Sequence, residues 1–219
     1  MATATTKQEP FSIVASINAH DGPIRSVCMG SYNDIITGSQ DCMLKRWNID
    51  ANGDYSSSHE PIAHNHWITA IVVLHPGQMS KSFPNGLIIT GCMDNIIRVF
   101  DALTSQPLGS LNGHDKGIIS LNWLAAPPPS SKSKLDEGNF YLLSGSWDGT
   151  AKIWDLSSLA HKTTSSTVDD APTGSCLHTL KGHENGVHVL GVNSYNKLGF
   201  NIIITTSTGM QSIVVVNIS

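Results

Sequence analysis

The residues best equipped for chemistry in this 219-residue sequence are its histidines and the aspartates that follow them at a distance. His20 precedes Asp41, His64 precedes Asp94 and His114 precedes Asp148, at separations of 21, 30 and 34 residues. A His-Asp pair can orient a general base, and a group such as His59, His64, His66 and His75 contains the residue type that ligates zinc. Repetition argues against both readings, because one active site has no use for three copies of the same pair. Each copy also carries a Thr or Ser four residues before the Asp (Thr37, Thr90, Ser144) and a Gly three before it (Gly38, Gly91, Gly145). An aromatic residue, Trp47, Phe100 or Trp154, always stands six after it. No tetrahedral ligand set, P-loop, nucleotide fingerprint or nucleophile elbow occurs. The expectation is therefore a non-enzyme with no catalytic residue, no metal and no cofactor.

The element that must position these residues is a β-hairpin. Tyr141 to Asp155 reads as a strand with an apolar start, a tight turn at Asp148-Gly149, and a second strand of period-two alternation. The same pattern surrounds Asp41 and Asp94, and a decayed fourth copy runs from Ile203 through Gly209 to Val215. Each hairpin follows a His, and an apolar strand begins four residues past that His, at Ile24, Ile68, Ile118 and Val187. These inner strands are predicted over 24–29, 68–74, 118–123 and 187–192, and outer strands near 61–62, 108–111 and 177–180. The intervals 76–85, 125–138 and 157–175, rich in Pro, Ser and Thr, read as solvated loops.

A fixed Asp-to-aromatic spacing with a variable His-to-Asp loop resembles the WD repeat, a four-stranded blade of a β-propeller. The fold class expected is all-β, a WD40 propeller with four blades at about 18–62, 63–111, 112–180 and 181–219, after a disordered segment 1–10. At roughly 40 to 45 residues per blade the chain supplies four where family rings usually have seven, so it reads as part of a larger ring. Phe11 to Ile17 would be the outer strand that closes it, and closure of four blades on themselves is the alternative. The resemblance further implies a buried tetrad locking each blade: His20, Thr37, Asp41 and Trp47; His64, Thr90 and Asp94 with Phe100; and His114, Ser144, Asp148 and Trp154. Phe100 has no indole N–H. The fourth set keeps only His183 and Thr205, with Gly209 and Val215 in the Asp and Trp places.

In such a propeller one rim presents the residues three and five past each His and the one before each Asp. Here these are Pro23, Arg25 and Gln40; Trp67, Thr69 and Met93; Gly117, Ile119 and Trp147; Gly186, His188 and Thr208. The partner-binding set proposed from them is Arg25, Trp67, Thr69, Met93, Ile119, Trp147 and His188, since exposed Trp and Met mark protein interfaces. Ala70 to Phe100, Leu111 to His114 and the run Ser144-Gly145-Ser146-Trp147-Asp148 are similar to blades two and three of the phospholipase A-2-activating protein family. That resemblance implies a ubiquitin-binding adaptor in ubiquitin-dependent degradation, with an AAA-type segregase ATPase recruited through regions absent here. A generic WD scaffold in another complex is the alternative.

Composition narrows the partners. Net charge is −4, and the only arginines are Arg25, Arg46 and Arg98, so neither nucleic acid nor an acidic membrane surface is an expected partner. Cys28, Cys42, Cys92 and Cys176 show no C-x-x-C spacing and read as reduced thiols. No apolar run reaches membrane-span length, and the expected location is cytoplasmic and nuclear.

Overall fold

The computed structural model describes residues 13, 16–77, 83–125, 140–161, 174–193, 201–207 and 213–218. Among these, every sheet is antiparallel, and strands follow one another in chain order within it. The first blade holds β1 (Ile24–Met29), β2 (Asp34–Ser39), β3 (Met43–Ile49) and β4 (Tyr55–Ser57), with the short β5 (Ile62–Ala63) also paired to β3. The second holds β6 (Ile68–Leu74), β7 (Leu87–Cys92), β8 (Ile97–Asp101) and β9 (Pro107–Leu111). The third comprises β10 (Ile118–Ala125), β11 (Phe140–Ser146), β12 (Ala151–Asp155) and β13 (Ser175–Leu180). The fourth comprises β14 (Val187–Asn193), β15 (Asn201–Ser207) and β16 (Ile213–Ile218). Strand β4 and a 3-10 turn at Ser157–His161 were not anticipated from sequence. Of the anticipated closing strand at 11–17, only 13, 16 and 17 are described, and they lie in no strand. Most of the three predicted loops falls outside the described residues.

The apolar alternation of each strand is consumed between blades rather than in a central core. One buried cluster joins blades one and two through Ile36, Leu44, Ile68, Val73, Ile88 and Phe100. A second joins blades two and three, where Leu87, Ile97, Leu111, Ile118, Leu142 and Trp154 are fully buried. Leu143, Ile153 and Val187 do the same for blades three and four. Residues of these strands therefore find both faces covered, which explains the near-continuous apolar runs of β7 and β11.

Contact between blades is set by the repeated glycine. A Cβ on Gly38 would lie 2.5 Å from Ile68 Cγ2, and one on Gly91 would lie 2.6 Å from Ile118 Cγ2. At Gly145 it would collide with the Val187 carbonyl oxygen. The first inner-strand residue of each blade thus seats on the bare backbone of the blade before it. Side-chain hydroxyls then stitch the same seam. Ser26 Oγ accepts the Ile71 amide at 3.0 Å, Thr69 Oγ1 donates to the Ile118 carbonyl, and Ser120 Oγ donates to the Val187 carbonyl at 3.3 Å.

Blade one shows what happens without a neighbour on that side. Ile24, Val27 and Met29 are 47%, 64% and 62% exposed, whereas their counterparts in blade two, Ile68, Ile71 and Val73, pack against blade-one residues. Among the described residues nothing covers this apolar face. Replacing Gly91 by Ala should overpack the seam and cost about 1–3 kcal/mol. A urea unfolding curve of Gly91→Ala is expected to show a clearly lowered midpoint.

Candidate protein-binding rim and the locks beneath it

In blade one, His20 Nδ1 lies 2.8 Å from Asp41 Oδ2 and Nε2 lies 2.7 Å from Thr37 Oγ1, while Trp47 Nε1–H donates to the same hydroxyl at 3.0 Å. Blade three repeats this with His114 to Asp148 at 2.7 Å, His114 to Ser144 at 2.7 Å and Trp154 to Ser144 at 2.8 Å. Each Asp also accepts the amide that follows its His, from Asp21 and Asp115. Both imidazoles are fully buried, with every ring nitrogen occupied. They have no free atom with which to abstract a proton or bind a metal. Burial opposes ionisation of Asp41 and Asp148, yet the bonds from Met43, His20, Thr150 and His114 outweigh it and hold both carboxyls below the usual carboxylate range. Burial also lowers the pKa of His114, with Asp148 offsetting part of the effect.

Blade two departs from the tetrad carried over by position. His64 Nε2 still meets Thr90 Oγ1 at 2.9 Å, but Asp94 does not bond His64. Arg98, standing where blades one and three have Lys45 and Lys152, draws Asp94 Oδ2 to 2.7 Å from its Nη2. His64 Nδ1 and Arg98 Nη1 are left buried with no hydrogen-bond partner. Phe100 packs its ring 6.0 Å from His64 and brings no donor. Burial foremost, then the Arg98 charge, pushes the pKa of His64 down to about 4. In blade four Gly209 is not among the described residues, nor are the side chains of Thr205 and Val215.

Rim positions gain their aim from a local irregularity. In the first three blades the register of the inner pair slips by one between Ile24 and Ser26, Ile68 and Ala70, and Ile118 and Ser120. The extra residue at each slip is Arg25, Thr69 or Ile119, and such bulges turn a side chain out of the ladder. In blade four the slip has moved to between Val189 and Gly191, and His188 pairs directly with Thr206. His188 is therefore not equivalent to Arg25, Thr69 and Ile119, contrary to the expectation from counting. Thr69 is only half-exposed, and its hydroxyl is committed to the Gly91 and Ile118 carbonyls, which makes it a seam residue.

The remaining positions form a continuous strip. The Met93 amide donates to the Trp67 carbonyl at 3.0 Å, and Met93 Sδ and Cε lie over Gly117. The Gly117 carbonyl in turn accepts the Trp147 amide at 3.0 Å, and Trp147 and Ile119 both rest on Gly186, where an added Cβ would be 2.6 and 3.0 Å away. A large residue at either glycine would lift the side chain above it. Trp67 and Trp147, 40% and 41% exposed, stand at separate points of this strip. Arg25 is exposed at the neighbouring rim position, within reach of the Gln40 amide oxygen at 2.8 Å from Nε. Neither of the other two arginines is available as a surface cation, because Arg46 is buried against Asp34 and Arg98 pairs with Asp94. The Arg46–Asp34 pair was missed in the sequence, where twelve residues separate its members.

The zinc candidates are dispersed. His59 Nε2 meets the Leu103 carbonyl, His66 Nδ1 accepts the Trp67 amide and His75 Nδ1 lies by Ser31 Oγ. Among the described residues no group of three His, Cys, Asp or Glu could hold a metal ion. Nor, among the described residues, is any helix long and apolar enough to cross a membrane.

Comparison with known proteins agrees with this geometry. The WD domain, G-beta repeat family matches residues 11–48, 56–101 and 105–155. The chain belongs to the WD-repeat family. It is 26% identical over 182 residues to the phospholipase A-2-activating protein of Xenopus laevis, covering 81% of this chain and 18% of that protein. Cell division control protein 4 of Saccharomyces cerevisiae is 30% identical over 118 residues, covering 54% of this chain and 12% of that one. The chain thus spans less than a fifth of either relative. Among solved structures, the computationally designed Ika4 protein superposes with a TM-score of 0.59 at 23% identity, over 95% of this chain and 99% of its own. U3-55K superposes at 0.55 and 16% identity, over 90% and 52%. Both show the shared propeller fold.

The incomplete lock of blade two has a pH consequence. An unfolded His takes up its proton near pH 6.5, while folded His64 resists protonation until about pH 4. Across that window the unfolded state binds more protons, so stability falls as pH falls, by up to about 3 kcal/mol. Urea midpoints at pH 7 and pH 4.5 should differ markedly in the wild type and by less in His64→Gln.

Proposed function

We propose that this WD-repeat chain is an adaptor module that binds ubiquitin through the rim strip Trp67–Met93–Trp147 with Ile119, in ubiquitin-dependent degradation in the cytoplasm and nucleus. The observation that carries the proposal is the continuity of that strip, in which Met93 and the exposed indole of Trp147 rest on backbone glycines and the exposed Trp67 is tied to Met93 through its carbonyl. Such a surface suits a partner with an aliphatic patch, and Trp is a frequent energetic anchor of interfaces. The similarity to phospholipase A-2-activating protein supports ubiquitin as that partner and a segregase ATPase as a further one, recruited by regions outside this chain. WD-repeat proteins generally act as non-enzymatic scaffolds, and the histidines and aspartates of blades one and three are spent on one another. A scaffold unrelated to ubiquitin is the second reading. It is favoured by the diversity of the relatives, which include the ribosome biogenesis protein YTM1 of Phaeosphaeria nodorum.

Titration of ¹⁵N-labelled ubiquitin with the chain should shift ubiquitin resonances at its apolar patch. Trp67→Ala and Trp147→Asp should each weaken binding at least tenfold, about 1.4 kcal/mol, with an unchanged circular dichroism spectrum. Absence of any shift at millimolar chain would leave the scaffold reading.

A further inference from the structure

Trp67 reaches the rim by a different route from Met93 and Trp147. The residue three past each His is a shelf for the large side chain of the blade before, and in blades three and four that shelf is Gly117 or Gly186, with Met93 and Trp147 lying directly on it. Blade two has Trp67 at the shelf itself. Its side chain is 40% exposed, so the bracing that bare backbone gives Met93 and Trp147 has to come from another group.

The preceding residue supplies it. His66 Nδ1 accepts the Trp67 amide at 2.8 Å, and the imidazole meets the indole in a T-shaped contact, with ring centroids 5.2 Å apart and planes inclined by 66°. His66 is itself tied down, because Cys92 Sγ donates to its carbonyl at 3.2 Å. That tie is common to the first three blades: Ser39 Oγ donates to the Gly22 carbonyl at 3.0 Å and Ser146 Oγ to the Lys116 carbonyl at 2.8 Å, in each case from two residues before the Asp to two residues past the His. What the tie holds differs. Gly22, Lys116 and Asn185 take the place of His66 in the other copies, and the residues that follow them are Pro23, Gly117 and Gly186. The Met93 amide donates to the Trp67 carbonyl at 3.0 Å, so both backbone polar groups of Trp67 are engaged.

We propose that His66 is the positioning residue of the rim: it holds Trp67 in the orientation from which the indole meets the partner's aliphatic patch, a role that rests on the rim being the binding surface. An exposed indole free to sample several rotamers loses entropy when a partner captures it, and fixing it beforehand removes part of that cost. The imidazole fixes it through two contacts, the bond to the amide and the edge contact with the ring. The first requires a lone pair at Nδ1, since an N–H there could not accept the amide.

The test pairs a partner-free readout with titration of ubiquitin by the full chain. In a ¹H–¹⁵N spectrum the Trp67 indole resonance, identified by its loss in Trp67→Ala, should show a clearly lower heteronuclear NOE in His66→Ala than in the wild type. His66→Asn, whose amide oxygen can take the place of Nδ1, should recover most of the difference. Ubiquitin affinity should fall about fivefold in His66→Ala, the worth of one hydrogen bond, and His66→Asn should again recover most of the loss. In a Trp67→Ala background His66→Ala should weaken binding no further, a non-additivity that a general loss of structure would not produce. An unchanged indole NOE in His66→Ala, or an equal loss of affinity with and without Trp67, overturns the proposal. A wild-type chain that shifts no ubiquitin resonance overturns the ubiquitin reading instead, and the indole measurement alone then decides the role of His66.

Discussion

A side chain seated on bare backbone is the contact on which the molecule depends. Ile68, Ile118 and Val187 each begin an inner strand, and each lies where the preceding blade has Gly38, Gly91 or Gly145. Because no Cβ intervenes, adjacent sheets approach closely enough for their other apolar residues to interdigitate, and all three buried clusters lie along these seams. The same approach brings Ser26, Thr69 and Ser120 within hydrogen-bonding distance of the next strand. It also presses Met93 and Trp147 onto Gly117 and Gly186 at the rim. Seam and rim are therefore one construction: the packing that stabilises neighbouring blades also holds the exposed indole of Trp147 in place.

The tetrads act within blades, and blade two shows how far one can be altered without losing the sheet. Its register matches that of its neighbours despite the missing indole and the displaced Asp94. The local polar cost falls on His64 Nδ1 and Arg98 Nη1, each buried without a partner.

Periodicity made most of this legible. Inner strands β1 and β6 begin and end where the apolar run starting four residues past each His predicts, and the hairpins turn at Asp41, Asp94 and Asp148. What escaped notice depends on three dimensions. Strand β4, Tyr-Ser-Ser, is too short and polar to announce itself, and Asp34 meets Arg46 only because β2 and β3 fold back on one another. Counting from the His placed Arg25, Thr69, Ile119 and His188 alike, yet counting cannot see that the bulge moves in blade four or that Thr69 spends its hydroxyl inward. The loss of the His64–Asp94 bond had a visible signal, since Arg98 replaces the lysine of the other two copies within reach of Asp94 at i,i+4.

The free face of blade one repeats the pattern that the other inner strands bury. Ile24, Val27 and Met29 stand where blade two has Ile68, Ile71 and Val73, and they are exposed, whereas Ile68 and Ile71 rest on Gly38 of the preceding blade. By its residue types this face is complementary to a sheet that carries a glycine at the place of Gly38 or Gly91, because only bare backbone lets the first inner-strand isoleucine approach so closely.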